Sequence, residues 1–152
     1  MIVNGGMETF TDHVPTGWTA NQSDLISKVT LQGRVHSGNY AVNLKNSAIL
    51  SQEIAIEPSC FYQLSFFARG EGSEVGLNAK VFYVNAQNQA TEALSIQVRQ
   101  QDMVNSNRSF AYYRGITNIS APLDTIKVRI EFTAITSGNQ SLDMDDVSFS
   151  IL

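Results

Sequence analysis

An all-β fold, two antiparallel sheets packed face to face as a β-sandwich or jelly roll, is what this 152-residue sequence predicts. Three observations lead there. Several runs alternate apolar and polar residues with a period of two, as strands half buried in a sheet do. No stretch carries apolar residues at i, i+3, i+4 and i+7 over three turns, so no long amphipathic helix is expected. Clusters of Gly, Asn, Ser and Pro separate the runs. The length suits a single domain over residues 1–152, enough chain to bury about two-thirds of the surface that unfolding exposes.

Taken in order, Met1-Ile2-Val3 is a short strand candidate ending in the turn Asn4-Gly5-Gly6. Residues 7–22 show no period and are expected to cross the surface, with Phe10 and Trp18 pinning the crossing to the core. Strands follow over 25–31 and 40–44, the second sending Tyr40, Val42 and Leu44 inward, with Gly33 and Ser37-Gly38-Asn39 turning the chain between them. Leu50, Gln52, Ile54 and Ile56 alternate up to Pro58. Tyr62, Leu64, Phe66 and Ala68 then form one face of a strand, and Gln63, Ser65, Phe67 and Arg69 the other.

After Gly70-Glu71-Gly72-Ser73, the residues Leu77, Ala79, Val81 and Tyr83 are assigned inward, and Asn85–Gln89 reads as a hairpin loop. The return strand places Leu94, Ile96 and Val98 inward and Ser95, Gln97 and Arg99 outward. Residues 100–109 lack a period and read as a long loop. The strand after Phe110 has an open phase, because Tyr112 and Tyr113 compete for the core and Gly115 suggests a bulge. Ile126, Val128, Ile130 and Phe132 face in against Lys127, Arg129 and Glu131. In the closing run Asp145, Val147, Phe149 and Ile151 fall on one face, which aims Asp145 at the core.

Composition narrows the function. A formal net charge of -4 leaves no broad basic field for a phosphate backbone, so nucleic acid is not an expected partner. No run approaches the roughly 18 apolar residues of a membrane span, and residues 1–20 have no basic and apolar leader pattern. Cys60 is the only cysteine and is expected to be an inert, partly buried thiol. The nucleophile elbow, His-Glu-x-x-His and P-loop motifs are all missing, and His13 and His36 both fall in loops. Glu8, Glu53, Glu57, Glu131, Asp143, Asp145 and Asp146 are the carboxylates a glycosidase would draw on, but most fall in turns or on strand exteriors, where solvated charge is the simpler reading. The expectation is a non-enzyme.

Sugar recognition needs aromatic faces for the apolar side of a pyranose and planar amide or charged groups for its hydroxyls. The non-core positions supply Gln63, Phe67 and Arg69, then Asn78, Lys80 and Phe82, then Gln97 and Arg99, with Tyr112 or Tyr113 opposite. If their strands are neighbours, this set shares one surface. The same surface is chemically compatible with a protein partner or a homo-oligomer contact.

A buried Asp145 calls for a cation, a basic residue or N–H donors beside it, and Glu8 is the nearest acidic candidate to share a cation. Capping of backbone N–H groups, or pairing with Arg34, is the alternative without a metal. Asn4-Gly5-Gly6-Met7-Glu8, Pro15-Thr16-Gly17-Trp18, Val35-His36-Ser37-Gly38-Asn39-Tyr40-Ala41, Tyr62–Arg69 and the closing Asp145-Asp146-Val147-Ser148-Phe149, in this order, resemble carbohydrate-binding modules of the family 4/9/22 type, a galactose-binding-like group. The resemblance spans essentially the whole chain. It implies a jelly roll, non-catalytic glycan recognition, an extracellular or cell-surface setting and a structural calcium. Glu8 and Asp145 would be its side-chain ligands, with carbonyls from Gly6, Ser37 or Asn39. A second reading, from another class, is a structural or assembly module of a surface, spore or phage-fibre protein.

Overall fold

The structure is a computed structural model and describes residues 1–103 and 107–152; positions 104–106 of the loop expected over 100–109 lie outside the described residues. In chain order the strands are β1 (Phe10–Thr11), β2 (Val14–Pro15), β3 (Thr19–Ala20), β4 (Ile26–Val29), β5 (Ala41–Lys45) and β6 (Ile49–Ala55). They continue with β7 (Tyr62–Glu71), β8 (Val75–Asn85), β9 (Ala90–Val98), β10 (Ala111–Ile116), β11 (Thr125–Thr136) and β12 (Ser141–Ile151). The only helical turns among the described residues are two 3-10 turns, Ser23–Leu25 and Gln32–Arg34. No helix of the described residues is long and apolar enough to cross a membrane.

Two five-stranded antiparallel sheets result, ordered β10-β7-β12-β5-β4 and β3-β6-β11-β8-β9, with β1 and β2 as a separate hairpin. The first is called the strapped sheet, because residues 34–40 cross its outer side, and the second the open sheet. The alternation read from the sequence puts the expected side chains between them. Tyr62, Leu64, Phe66 and Ala68 of β7 meet Leu77, Ala79, Val81 and Tyr83 of β8 and Val128, Ile130 and Phe132 of β11, all of them buried. Tyr113 wins the competition on β10, stacking on Phe66, while Tyr112 points out. Trp18 is buried against Phe132 and donates its indole N–H to the Asn4 carbonyl at 3.2 Å, so it packs and is not a platform.

Four expectations need correction. Met1–Val3 is not a strand; Val3 instead exchanges two hydrogen bonds with the Gln52 amide, at 2.8 and 2.9 Å. Gly115 stays in register opposite Leu64 without a bulge, and is small because a Cβ there would press on Leu94 and Ile96. Ile126 is exposed because a register shift between Thr125 and Lys127 takes it out of phase. Asp145 does not face the core: β12 carries a bulge between Asp145 and Ser148, with Asp146 at φ 50°. The bulge inverts the phase, so Asp143 and Asp145 point to the outer side while Val147 and Phe149 point in. Ile151, at the strand's end, is exposed.

The bulge is where the N-terminal segment locks on. Val147 donates to the Gly5 carbonyl at 2.9 Å, and a Cβ on Gly5 would collide with the Val147 carbonyl oxygen, so only glycine fits. Gly72, at φ 129°, makes the corner by which the chain leaves the strapped sheet after β7 and enters the open sheet as β8.

Phe66 joins the layers, stacked on Tyr113 and edge-on to Phe132 at 5.0 Å. Phe66→Ala is expected to lower unfolding free energy by about 3–5 kcal/mol, read from urea denaturation; a loss under about 1 kcal/mol would show that the layers repack around the void.

Candidate functional site

The outer side of the strapped sheet is crossed by residues 34–40, and charge holds them there. Asp143, fully buried, accepts from Arg34 Nε and Nη2 at 2.9 Å each, from Arg69 Nη1 at 2.8 Å and from Asn43 Nδ2 at 2.8 Å. Glu71 completes the cluster through Arg69 and Arg34. The Asp143 hydrogen bond, against the opposing effect of burial, raises Arg34 above its ordinary pKa. Asp145 Oδ2 accepts the backbone N–H groups of His36 and Ser37 at 3.1 and 3.2 Å, and Oδ1 accepts that of Asp146 at 2.9 Å. Burial pushes the Asp145 carboxyl up to about 7, helped by the neighbouring Asp146 charge and opposed by those N–H bonds. Glu8 takes the N–H groups of Asn39 and Tyr40, and Asp146 Oδ2 takes the Ser37 hydroxyl and lies 2.6 Å from His36 Nδ1.

The His36 ring, so positioned, stacks on Phe67 at 3.7 Å between centroids, and Phe67 touches Tyr112 at 5.0 Å. Of the sugar-binding candidates on this side, Arg69 is consumed by Asp143 and Glu71, Phe67 is covered by His36, and Gln63 accepts from Arg114 at 2.8 Å. Tyr112 alone presents a largely free ring.

Asn78, Lys80, Phe82, Gln97 and Arg99 lie on the other side of the molecule. Here the expectation of one shared surface fails. β8 crosses to the open sheet, pairing with β11 and β9, whereas β7 pairs with β12 and β10; alternation tells inward from outward but not which sheet a strand joins.

Among the described residues no connection crosses the outer side of the open sheet as residues 34–40 cross the other. At one end of it an open groove of about 370 Å³ is lined by Asn78, Gln97, Arg99, Gln100, Gln101 and Ile135. Asn78 and Gln97 are directly cross-strand, and among the described residues their amides have no hydrogen-bond partner. Gln100 is oriented by the Ser137 hydroxyl at 3.2 Å and the Ile135 carbonyl at 3.4 Å, and Arg99 Nε bonds Asp102 at 2.7 Å. Beyond the groove Arg129 lies 5.0 Å from the Phe82 ring centroid and bonds Glu131, so Phe82 is partly roofed. Gln100, Gln101 and Ile135 were not anticipated as site residues; the first two fall in the aperiodic stretch after β9, where no pattern assigns a direction.

Solved structures share this fold at low sequence identity. A family 61 carbohydrate-binding module in complex with β-1,4-galactotriose superposes with a TM-score of 0.72 at 20% identity, covering 99% of this chain and 97% of that one. A family 16 carbohydrate-binding module gives 0.68 at 18% identity, covering 98% of each chain. The enzymatically active domain of tailspike protein 4 from bacteriophage CBA120 gives 0.70 at 17% identity, with this chain matching 21% of its length. Neither a protein-family model nor a curated protein matches the sequence. The fold is the two-sheet jelly roll of the carbohydrate-binding modules.

Arg69→Ala leaves Asp143 buried with one cation fewer and is expected to cost about 3–5 kcal/mol, checked by denaturant unfolding. Tyr112→Ala, on the same face but exposed, is expected to cost under about 1 kcal/mol; equal losses would show that the charge cluster is not what holds this face.

Proposed function

We propose that this chain is a non-catalytic glycan-binding module working outside the cell, and that it binds sugar on the outer face of the open sheet. The observation that carries the reading is the pair of amides, Asn78 and Gln97, side by side in an open groove and without a hydrogen-bond partner among the described residues. A planar amide offers two donors and two acceptor lone pairs, which suits the adjacent hydroxyls of a pyranose. The likeness to glycan-binding modules supports the class, and the complex with β-1,4-galactotriose makes a galactan a reasonable first probe. Gln97→Ala and Asn78→Ala are expected to weaken binding by about three- to tenfold each, measured by titration calorimetry after a polysaccharide screen. Phe67→Ala, on the strapped side, is expected to leave affinity unchanged. The reverse pattern would move the site to the strapped side, and a folded protein that binds no glycan would favour the assembly reading, for which the match to a tailspike domain is the supporting observation.

We further propose a structural calcium where the N-terminal segment meets β12. Glu8, Asp145 and Asp146 converge on residues 36–40 and on Gly6, where an added Cβ would lie 3.7 Å from Asp146 Oδ1 and 3.9 Å from Glu8 Cγ. Backbone N–H groups orient Glu8 and Asp145 but leave their charge uncompensated, and among the described residues no Lys or Arg pairs with any of the three. The described residues contain no grouping of three or more acidic, His or Cys side chains at metal-holding distance. An all-oxygen set of two carboxylates completed by backbone carbonyls is within calcium's tolerance. Glu8 and Asp145 would hold the ion, with Gly6, Ser37 and Asn39 as carbonyl donors; its role is to neutralise and tie the corner.

A carboxyl whose folded pKa is raised to about 7 favours the folded state at low pH and loses that contribution as pH rises from the ordinary carboxylate range through 7. Calcium is therefore expected to raise the melting temperature, and to do so more at pH 8 than at pH 5. A melting temperature indifferent to calcium and chelator at both pH values would remove the metal assignment.

A further inference from the structure

Every cation on the outer face of the open sheet is held by a carboxylate among the described residues. Lys80 Nζ lies 3.1 Å from Glu92, Arg129 Nε 2.8 Å from Glu131, Lys127 Nζ 3.2 Å from Glu53 and Arg99 Nε 2.7 Å from Asp102. Four cations meet four carboxylates, so the face is neutral and the net charge of -4 belongs to the rest of the molecule. Glu131 is the centre of the pattern. It bonds Arg129 along its own strand and sits in register opposite Lys80 on β8.

Exposed pairs of this kind add little to folding, typically between nothing and about 1 kcal/mol. What they change is the field that an arriving ligand meets. A uronate or sulfate needs an uncommitted Lys or Arg, and here it would have to displace a carboxylate and then lie beside it, a like-charge contact that costs affinity. A neutral hydroxylated chain meets no such barrier, because the free groups in the groove are amides. We propose that Glu92 and Glu131 are specificity-determining residues, holding Lys80 and Arg129 so that this face accepts uncharged polysaccharide and rejects polyanionic chains. This rests on the glycan-binding reading of the same face.

The test is equilibrium binding of the full chain to β-1,4-galactan and β-1,4-xylan on one side and polygalacturonate on the other, at low and raised salt. Wild type is expected to hold a neutral chain with little salt dependence and to ignore polygalacturonate. Glu92→Gln with Glu131→Gln, which frees both cations, is expected to gain polygalacturonate affinity by about tenfold or more at low salt and to lose the gain as salt rises. Arg129→Gln with Glu131→Gln, which removes one charge of each sign, is expected to gain much less. Melting curves establish that each variant is folded. Comparable wild-type binding to both classes, or no gain in the double-Gln protein, overturns the inference and leaves the glycan reading standing. A wild type that binds no neutral chain sinks the glycan reading and the inference with it, even where the double-Gln protein captures polygalacturonate. Failure of both proteins on every chain overturns both.

Discussion

Two carboxylates on the solvent side of β12 decide the shape of everything around them. Asp143 and Asp145 are fully buried although their positions face away from the core. An ionised carboxylate removed from water must be met by charge or by several donors, or it costs several kcal/mol. Asp143 draws in the guanidinium groups of Arg34 and Arg69, and Asp145 draws in the backbone of His36 and Ser37. Residues 34–38 are thereby laid across the sheet. The roof exists because the carboxylates demand it, and the carboxylates are buried because the roof is there.

The two faces of the sandwich diverge for the same reason. On the roofed side His36 stacks on Phe67, and Arg69 is immobilised, so groups that look suited to a ligand are already occupied. On the other side no buried charge needs covering. The surface pairs there neutralise each other locally, and among the described residues the side-chain amides of Asn78 and Gln97 have no hydrogen-bond partner. Among the described residues this sheet face is uncharged in sum and no chain crosses it, which is the basis for proposing a neutral, hydroxyl-rich partner. Among the described residues it also lacks a wide aromatic row, since Phe82 is shared with Arg129. For the glycan binding proposed for this face, that favours single chains held through hydroxyl contacts over adhesion to a crystalline surface.

The bulge at Asp145–Asp146 links the closing strand to the opening segment. By inserting an extra residue it lets a single strand send Asp143 and Asp145 outward and Val147 and Phe149 inward, and it presents the Val147 backbone to Gly5. Chain ends tied in this way fray less. The acidic corner that results, Glu8 with Asp145 and Asp146, is oriented by N–H donors yet not neutralised by any Lys or Arg among the described residues, and this is the ground on which a divalent cation is proposed there.

Sequence alone determined the strands and their inward faces, because a period of two is a local property of the chain: Tyr62 to Ala68, Leu77 to Tyr83 and Val128 to Phe132 read correctly without any knowledge of their neighbours. It also pointed to the joining of residues 4–8 with the closing strand, and it named Asp145 as a carboxylate in need of partners. The direction of Asp145 was misread because only Val147, Phe149 and Ile151 were followed back to it, whereas the apolar positions change phase from Leu142 and Met144 to Val147 and Phe149, the trace of the bulge that inverts the strand there. Which outward residues share a surface was out of reach. Gln63, Phe67, Arg69 and Tyr112 parted from Asn78, Lys80, Phe82, Gln97 and Arg99 at the Gly72 corner, where β7 and β8 enter opposite sheets. Sheet membership is set by long-range pairing, and only the tertiary structure decides which strands pair.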